Sequence, residues 1–196
     1  YSSYFLAGVF EWFGMAEWFG RTHEFRELAA LSGRLVSATD GTISVLLLYR
    51  AGTLLYSRVV GLVAAALLAV FPLHVTCSRY MKEDALLVCL FLAVVVLVLQ
   101  AVRTNRLSWL MLAGLFAGFT TSAKYSGLLS IFVLVVSPWL RSGTLRPNLN
   151  FLKALPVVLA LAPLGFVLLT PYSVLDFDSF IRGVQLERSH MLRGHT

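Results

Sequence analysis

Two long apolar runs, Val59 to Cys77 and Ala85 to Val102, flank the short stretch Ser78-Arg79-Tyr80-Met81-Lys82-Glu83-Asp84. Each run has roughly the 17 to 25 residues that a helix needs to cross a bilayer. Four ionisable groups between Arg79 and Asp84 are therefore pinned between two spans. They must lie at a membrane surface or in a wet cavity, and ionisable residues so placed are a functional-site hypothesis by default.

The composition agrees. The chain of 196 residues is 58% hydrophobic and only 13% charged, whereas a soluble domain carries about 25% charged residues. It reads as a polytopic membrane protein, all-α, or a piece of one. It starts at Tyr1 with no basic region ahead of an apolar core, so a segment before Tyr1, with a first span, is expected to be missing. The net charge of +6 does not point to nucleic acid, because the basic residues are dispersed between apolar runs and read as topology signals. Cys77 and Cys89 lie inside apolar runs without CxxC spacing, which suits buried free thiols.

Taken in order, Tyr1 to Gly20 is aromatic and interrupted by Glu11 and Glu17. Trp and Phe beside Glu suit the headgroup zone, so residues 1–33 are expected to form an interfacial helical segment. Residues 34–171 are expected to form a bundle of about six spans, near 35–55, 59–77, 85–102, 107–123, 126–140 and 154–169. Two of these are short and require tilt or local thinning. Pro156 and Pro163 in the last are tolerated where neighbours satisfy the freed backbone groups. Residues 172–196 are polar and charged, an expected extracytoplasmic loop segment.

Charge sorts the loops into two sets. Arg50, Arg58, Arg103, Arg106, Arg141, Arg146 and Lys153 share one side with no acid. All 10 Asp and Glu residues fall on the other side. Excess Lys and Arg in short loops marks the cytoplasmic face. The stretch from Arg79 to Asp84, the Lys124 turn and the polar tail then share the extracytoplasmic face of a multi-pass protein, expected in the cell inner or plasma membrane.

Each residue at that face has a bland reading beside its functional one. Asp84 opens a helix, where the dipole favours a carboxylate cap; Glu83 shares that reading. Arg79 and Lys82 can contact lipid phosphates. Lys124, between two apolar runs with no acid near it in sequence, either snorkels to the headgroups or aims a cation at an anionic substrate such as a phosphate. His74 reads as a packing residue, and His190 and His195 lack metal-ligand spacing. No Walker A, GxGxxG, GxSxG or HExxH motif is present, so nucleotide-driven and hydrolytic chemistry have no motif support. No cofactor is specified; a divalent metal ion is left open.

The order of short motifs is familiar. Arg34-Leu35-Val36-Ser37-Ala38 precedes a Gly-Thr span; Pro72-Leu73-His74 and Ser78-Arg79-Tyr80 precede Asp84; Ala113-Gly114-Leu115 precedes Ser122-Ala123-Lys124-Tyr125-Ser126-Gly127; Thr170-Pro171-Tyr172 closes the last span. From Arg34 onward this resembles the membrane half of glycosyltransferase family 39, related to dolichyl-phosphate-mannose protein mannosyltransferases and to the aminoarabinose transferase of the GT-C superfamily.

The resemblance implies a partial GT-C fold and inverting transfer of a sugar from a polyprenyl- or dolichyl-phosphate donor to a protein, lipid or glycan acceptor. It implies a carboxylate to take the acceptor's proton and cations to hold the phosphate. Asp84 matches the family's second acidic position and Lys124 its phosphate-contacting lysine, with Arg79 beside them. Tyr125, Tyr172 and Glu83 are further candidates for lining the site. The family's main acidic motif should precede Tyr1, so the main base is expected outside this chain, and the chain by itself is expected to be inactive. Asp40 occupies a place usually small or apolar and has no account. The competing readings are a secondary transporter, which should show paired broken helices and an internal repeat, and a membrane assembly subunit without chemistry.

Overall fold

The computed structural model describes residues 22–80, 82–140 and 147–193. The aromatic segment from Tyr1 to Gly20 lies outside the described residues, as do Arg141 and Arg146. Every regular element among the described residues is helical. In chain order these are α1 (Thr22–Leu55), α2 (Arg58–Val70), α3 (Pro72–Arg79), α4 (Glu83–Thr104), α5 (Leu107–Ala123), α6 (Ser130–Val136), α7 (Leu149–Leu169), α8 (Tyr172–Leu175) and α9 (Phe177–Arg193), with 3-10 turns at Tyr125–Leu129 and Ser137–Trp139.

Local chemistry places the boundaries. Ser57 caps α2 by accepting a hydrogen bond from the Val60 N–H at 3.3 Å, one of the orphan donors at a helix start. Phe71 is extended, with ψ 119°, because a residue before proline is pushed out of the α region. The expected span 59–77 is therefore two helices bent by 60° at that point. Glu83 and Asp84 occupy the first turn of α4, where the dipole favours acids. Asn105 ends α4 with φ 53°, a left-handed conformation that Asn tolerates better than most residues. Its side-chain oxygen accepts from Asn148 Nδ2 at 3.1 Å, which ties the end of α4 to the start of α7.

The main helices pack in a row: α1 on α4, α4 on α5, and α5 on α7, with α2 and α3 folded back on α1. Val94 and Val98 of α4, Leu110, Ala113 and Ala117 of α5, Leu134 of α6, and Phe151 and Val158 of α7 form one buried cluster. At the α5–α7 crossing the backbones nearly touch. A Cβ on Gly118 would collide with the Ala162 carbonyl and the Phe166 N–H, and one on Gly165 with the Leu115 carbonyl. Small residues at such a crossing let dispersion contacts act where lipid removes the hydrophobic drive between helices.

The all-α architecture stands; among the described residues a count of about six spans is not confirmed. By length and composition two helices qualify, α4 and α7, or three if the bent pair α2–α3 counts as one. Four physical reasons account for the shortfall. The expected span 35–55 carries Asp40 and Arg50 within α1. Pro72 breaks 59–77. α5 has 17 residues, and 126–140 is divided between 3-10 turns and a helix of 7 residues. The tail is helical over α8 and α9.

Because successive helices run back and forth, the described loops sort between two ends of the bundle. Arg58, Arg103, Arg106, Asn105 and Asn148 lie at one end. Asp84, Arg79, Lys124 and Thr170 lie at the other, where the Ser122 and Thr170 hydroxyls meet at 2.5 Å.

Candidate functional site

Asp84 stands in the first turn of α4 and Lys124 immediately after the last residue of α5. α4 and α5 are antiparallel neighbours, so residues 40 apart in sequence come to the same end. Lys124 Nζ donates to Asp84 Oδ1 at 2.5 Å. Lys124 itself is extended, φ −160° and ψ 146°, which ends α5 and throws its side chain across to α4. Gly127 makes the turn possible: a Cβ there would strike the carbonyl of Thr120.

The pair is partly open to solvent, with the lysine side chain 41% and the aspartate 35% exposed. Ion pairs this exposed add only about 0.2–1 kcal/mol, so stability alone does not explain two charges between apolar runs. The Asp84 carboxylate, hydrogen-bonded to the ammonium, raises the Lys124 pKa above the ordinary lysine value; partial burial opposes this, and the charge of Glu83 adds to it. The site therefore holds a fixed ammonium at neutral pH.

A second cationic feature lies at the same end. A cleft of about 580 Å³ is lined by Arg34 and Ala38 of α1 and by Thr76, Ser78, Arg79 and Tyr80 of α3 and the residue after it. Its walls are held together by His74, whose Nε2–H donates to the Gly41 carbonyl at 3.2 Å, and by the Ser37 hydroxyl, which donates to the Lys82 carbonyl at 3.5 Å. Arg34 and Arg79 pair with no described acid. Arg79, expected to join Lys124, thus lines this cleft, whose lining includes neither Lys124 nor Asp84. Arg34 carried no expected role; its signal was its place at the head of the Arg34-Leu35-Val36-Ser37-Ala38 motif, one α-helical turn before Ala38.

The third feature is apolar. A groove of about 360 Å³ runs between Leu48 of α1, Leu68 of α2, Leu87, Val88, Phe91 and Leu92 of α4, and Ser126 and Leu129 of the 3-10 turn. Leu87 is one turn from Asp84, and Ser126 is two residues from Lys124, so the groove starts beside the ion pair.

The remaining expected residues are placed as follows. Glu83 is exposed beside Asp84; Tyr125 is exposed at the start of the 3-10 turn; Tyr172 is exposed at the start of α8. Cys77 and Cys89 are free thiols. One Asp40 carboxylate oxygen is buried without a hydrogen-bond partner, and nothing in the structure explains it. Among the described residues no group of His, Cys, Asp and Glu could hold a metal ion; His195 and the His190 side chain lie outside what is described.

This arrangement can bind an anion with a long apolar substituent: a fixed ammonium and a carboxylate at one end of the bundle, two guanidinium groups in a nearby cleft, and an apolar groove alongside. Residues 4–166 match the family model described as dolichyl-phosphate-mannose-protein mannosyltransferase. No curated protein and no solved structure matches the chain.

Proposed function

The chain belongs to the dolichyl-phosphate-mannose-protein mannosyltransferase family, a family of membrane glycosyltransferases, and on that premise we propose that it binds a polyprenyl-phosphate-linked sugar and takes part in its inverting transfer to an acceptor at the extracytoplasmic face. The observation that carries this reading is the Lys124–Asp84 contact beside an apolar groove. The donor's leaving group is a phosphate on an isoprenoid chain, so it needs a cation at the mouth of an apolar slot.

In this proposal Lys124 holds the donor phosphate and stabilises the charge that develops on it as the anomeric bond breaks. Arg79, with Arg34, raises the positive potential at the same end. Phosphate competes with Asp84 for the ammonium, so donor binding releases the carboxylate, which then accepts the proton of the attacking acceptor hydroxyl. Glu83, Tyr125 and Tyr172 line the approach, and the donor lipid, the acceptor and membrane lipids are the partners. The basic loops at the Asn105 end support the sidedness.

A second reading has one observation in its favour. Lys124 and Asp84 satisfy each other, as they would in a membrane assembly subunit without chemistry. A transporter has less support: among the described residues one helix pair is broken, where paired breaks are expected.

Two substitutions separate the readings in a sugar-transfer assay on the protein that carries this chain. Lys124→Ala is expected to raise the donor KM about 10- to 100-fold, the loss of one charge-assisted hydrogen bond. Asp84→Asn is expected to lower kcat without weakening donor binding, because it removes the competitor for the ammonium. Unchanged donor KM and kcat in both variants, at normal folded yield, would assign the pair to structure alone.

A further inference from the structure

The end of α7 and the helix that follows it carry a surface that the proposed chemistry does not use. α9 spans 17 residues, about 25 Å at 1.5 Å per residue. Phe177, Phe180, Ile181 and Val184 recur at i, i+3, i+4 and i+7, which places them on one face. Ser179, Arg182 and Ser189 lie on the other, with Leu186 the one large apolar exception. Arg188, at i+11, falls within the apolar stripe itself, so its long side chain must reach past apolar surface to a polar layer.

Where this helix lies follows from the chain. α7 is one of the two helices long and apolar enough to cross a membrane, so its last residue, Leu169, is at a bilayer boundary. α9 begins eight residues later. It does not project away: the rings of Phe166 and Phe180 meet edge-on with centroids 6.1 Å apart, which folds α9 back against the final turn of α7. The apolar surface is continuous across the junction, from Leu168 and Leu169 through Tyr172, Val174 and Leu175 to Phe177, all exposed. Leu175 is 77% and Phe177 59% exposed, so no described residue covers them. An amphipathic helix with Arg182 on its polar side, anchored at the end of a span, is what an interfacial helix requires.

We infer that α9 lies in the plane of the membrane, its Phe177–Val184 stripe sunk into the boundary between headgroups and acyl chains, and that Arg182 and Arg188 contact lipid phosphates. The ligand is the lipid surface itself, and the inference is independent of the catalytic reading. Embedding of about 5–10 Å is expected for such a helix.

The test uses the full chain in vesicles of phosphatidylcholine and phosphatidylglycerol, with Cys77→Ser and Cys89→Ala as background. Nitroxide labels at Ile181→Cys and Val184→Cys are compared with labels at Arg182→Cys and Ser179→Cys. The first two are expected to relax faster with oxygen than with a water-soluble nickel complex, and the last two the reverse. Equal access of the nickel complex to all four would mean that α9 stands in water. Shielding of 181 and 184 from both reagents would mean that protein, not lipid, covers the stripe. Either result overturns the inference, and the second label on each face keeps one misfolded variant from deciding it.

Discussion

Glycine serves two seams of this molecule differently. Between α5 and α7, a Cβ on Gly118 would strike the backbone of Ala162 and Phe166, and backbone cannot rotate away. Between α1 and α3, a Cβ on Gly41 would strike the hydroxyl and Cβ of Ser78, on a helix of 8 residues that is bent away from its neighbour. The first seam adjoins the buried cluster around Leu110, Phe151 and Val158. The second faces the Arg34–Arg79 cleft and carries the His74–Gly41 hydrogen bond. One half of the bundle is packed to stay put. The other carries the Arg34–Arg79 cleft, although its α1–α2 seam is also close, a Cβ on Gly61 striking the Tyr49 carbonyl. α4 is the wall they share, buried against α5 on one side and opening to the groove on the other.

The contrast can be broken most forcefully at Gly118. Gly118→Val is expected to cost about 3 kcal/mol, the upper part of the usual overpacking range, read as a lower unfolding midpoint in detergent and loss of monodisperse protein. A midpoint unchanged from the parent would mean that the α5–α7 seam is not close-packed. Gly41→Ala sharpens the comparison from the other side. It is expected to cost about 1 kcal/mol or less, because α3 can move, yet to lower sugar transfer by up to about 100-fold, the effect of roughly 1 Å of misplacement. Comparable losses of stability at both glycines would erase the distinction between the halves.

The smallest expected effect is in pH. Asp84 raises the Lys124 pKa, so the ion pair's contribution is complete below the ordinary lysine value of about 10.4. It is lost only as pH rises through the raised value. The donor-dependent kcat/KM, which reports the free enzyme, should show no loss assignable to Lys124 between about pH 7 and pH 9. A basic limb near pH 8 that disappears in Lys124→Ala would show that the ammonium is not held as described.

Much of this was legible in the sequence where the controlling physics is local. The apolar run from Leu107 to Ala123 predicts a span; a helix with those bounds is α5, though its 17 residues leave it short of the length a crossing usually needs. Alternation of loops along the sequence places Asp84 and Lys124 at one end, where the structure has them in contact. The break at Pro72 was legible in principle, since the residue before proline avoids the helix, but an unbroken hydropathy run from Val59 to Cys77 hid it. The Arg34–Arg79 cleft could not be read. It depends on α3 folding back over α1 across more than 40 residues, and no local pattern records that return. The pairing of Lys124 is a partial case: loop alternation and motif order bring Asp84 to its end, while the direct contact depends on the extended backbone of Lys124, which no local pattern records.

The 60° bend between α2 and α3 bears on the bilayer itself. With α2 upright, its 13 residues rise about 20 Å at 1.5 Å each. The 8 residues of α3 add about 6 Å more along the normal when tilted by 60°. Together they fall a few ångströms short of a hydrocarbon layer about 30 Å thick. Lipid beside this pair must be pinched to match, at fractions of a kcal/mol per ångström. If the pair crosses as one span, the headgroups beside it lie lower than those beside α4 or α7, and a lipid phosphate arriving from that flank starts part of the way down.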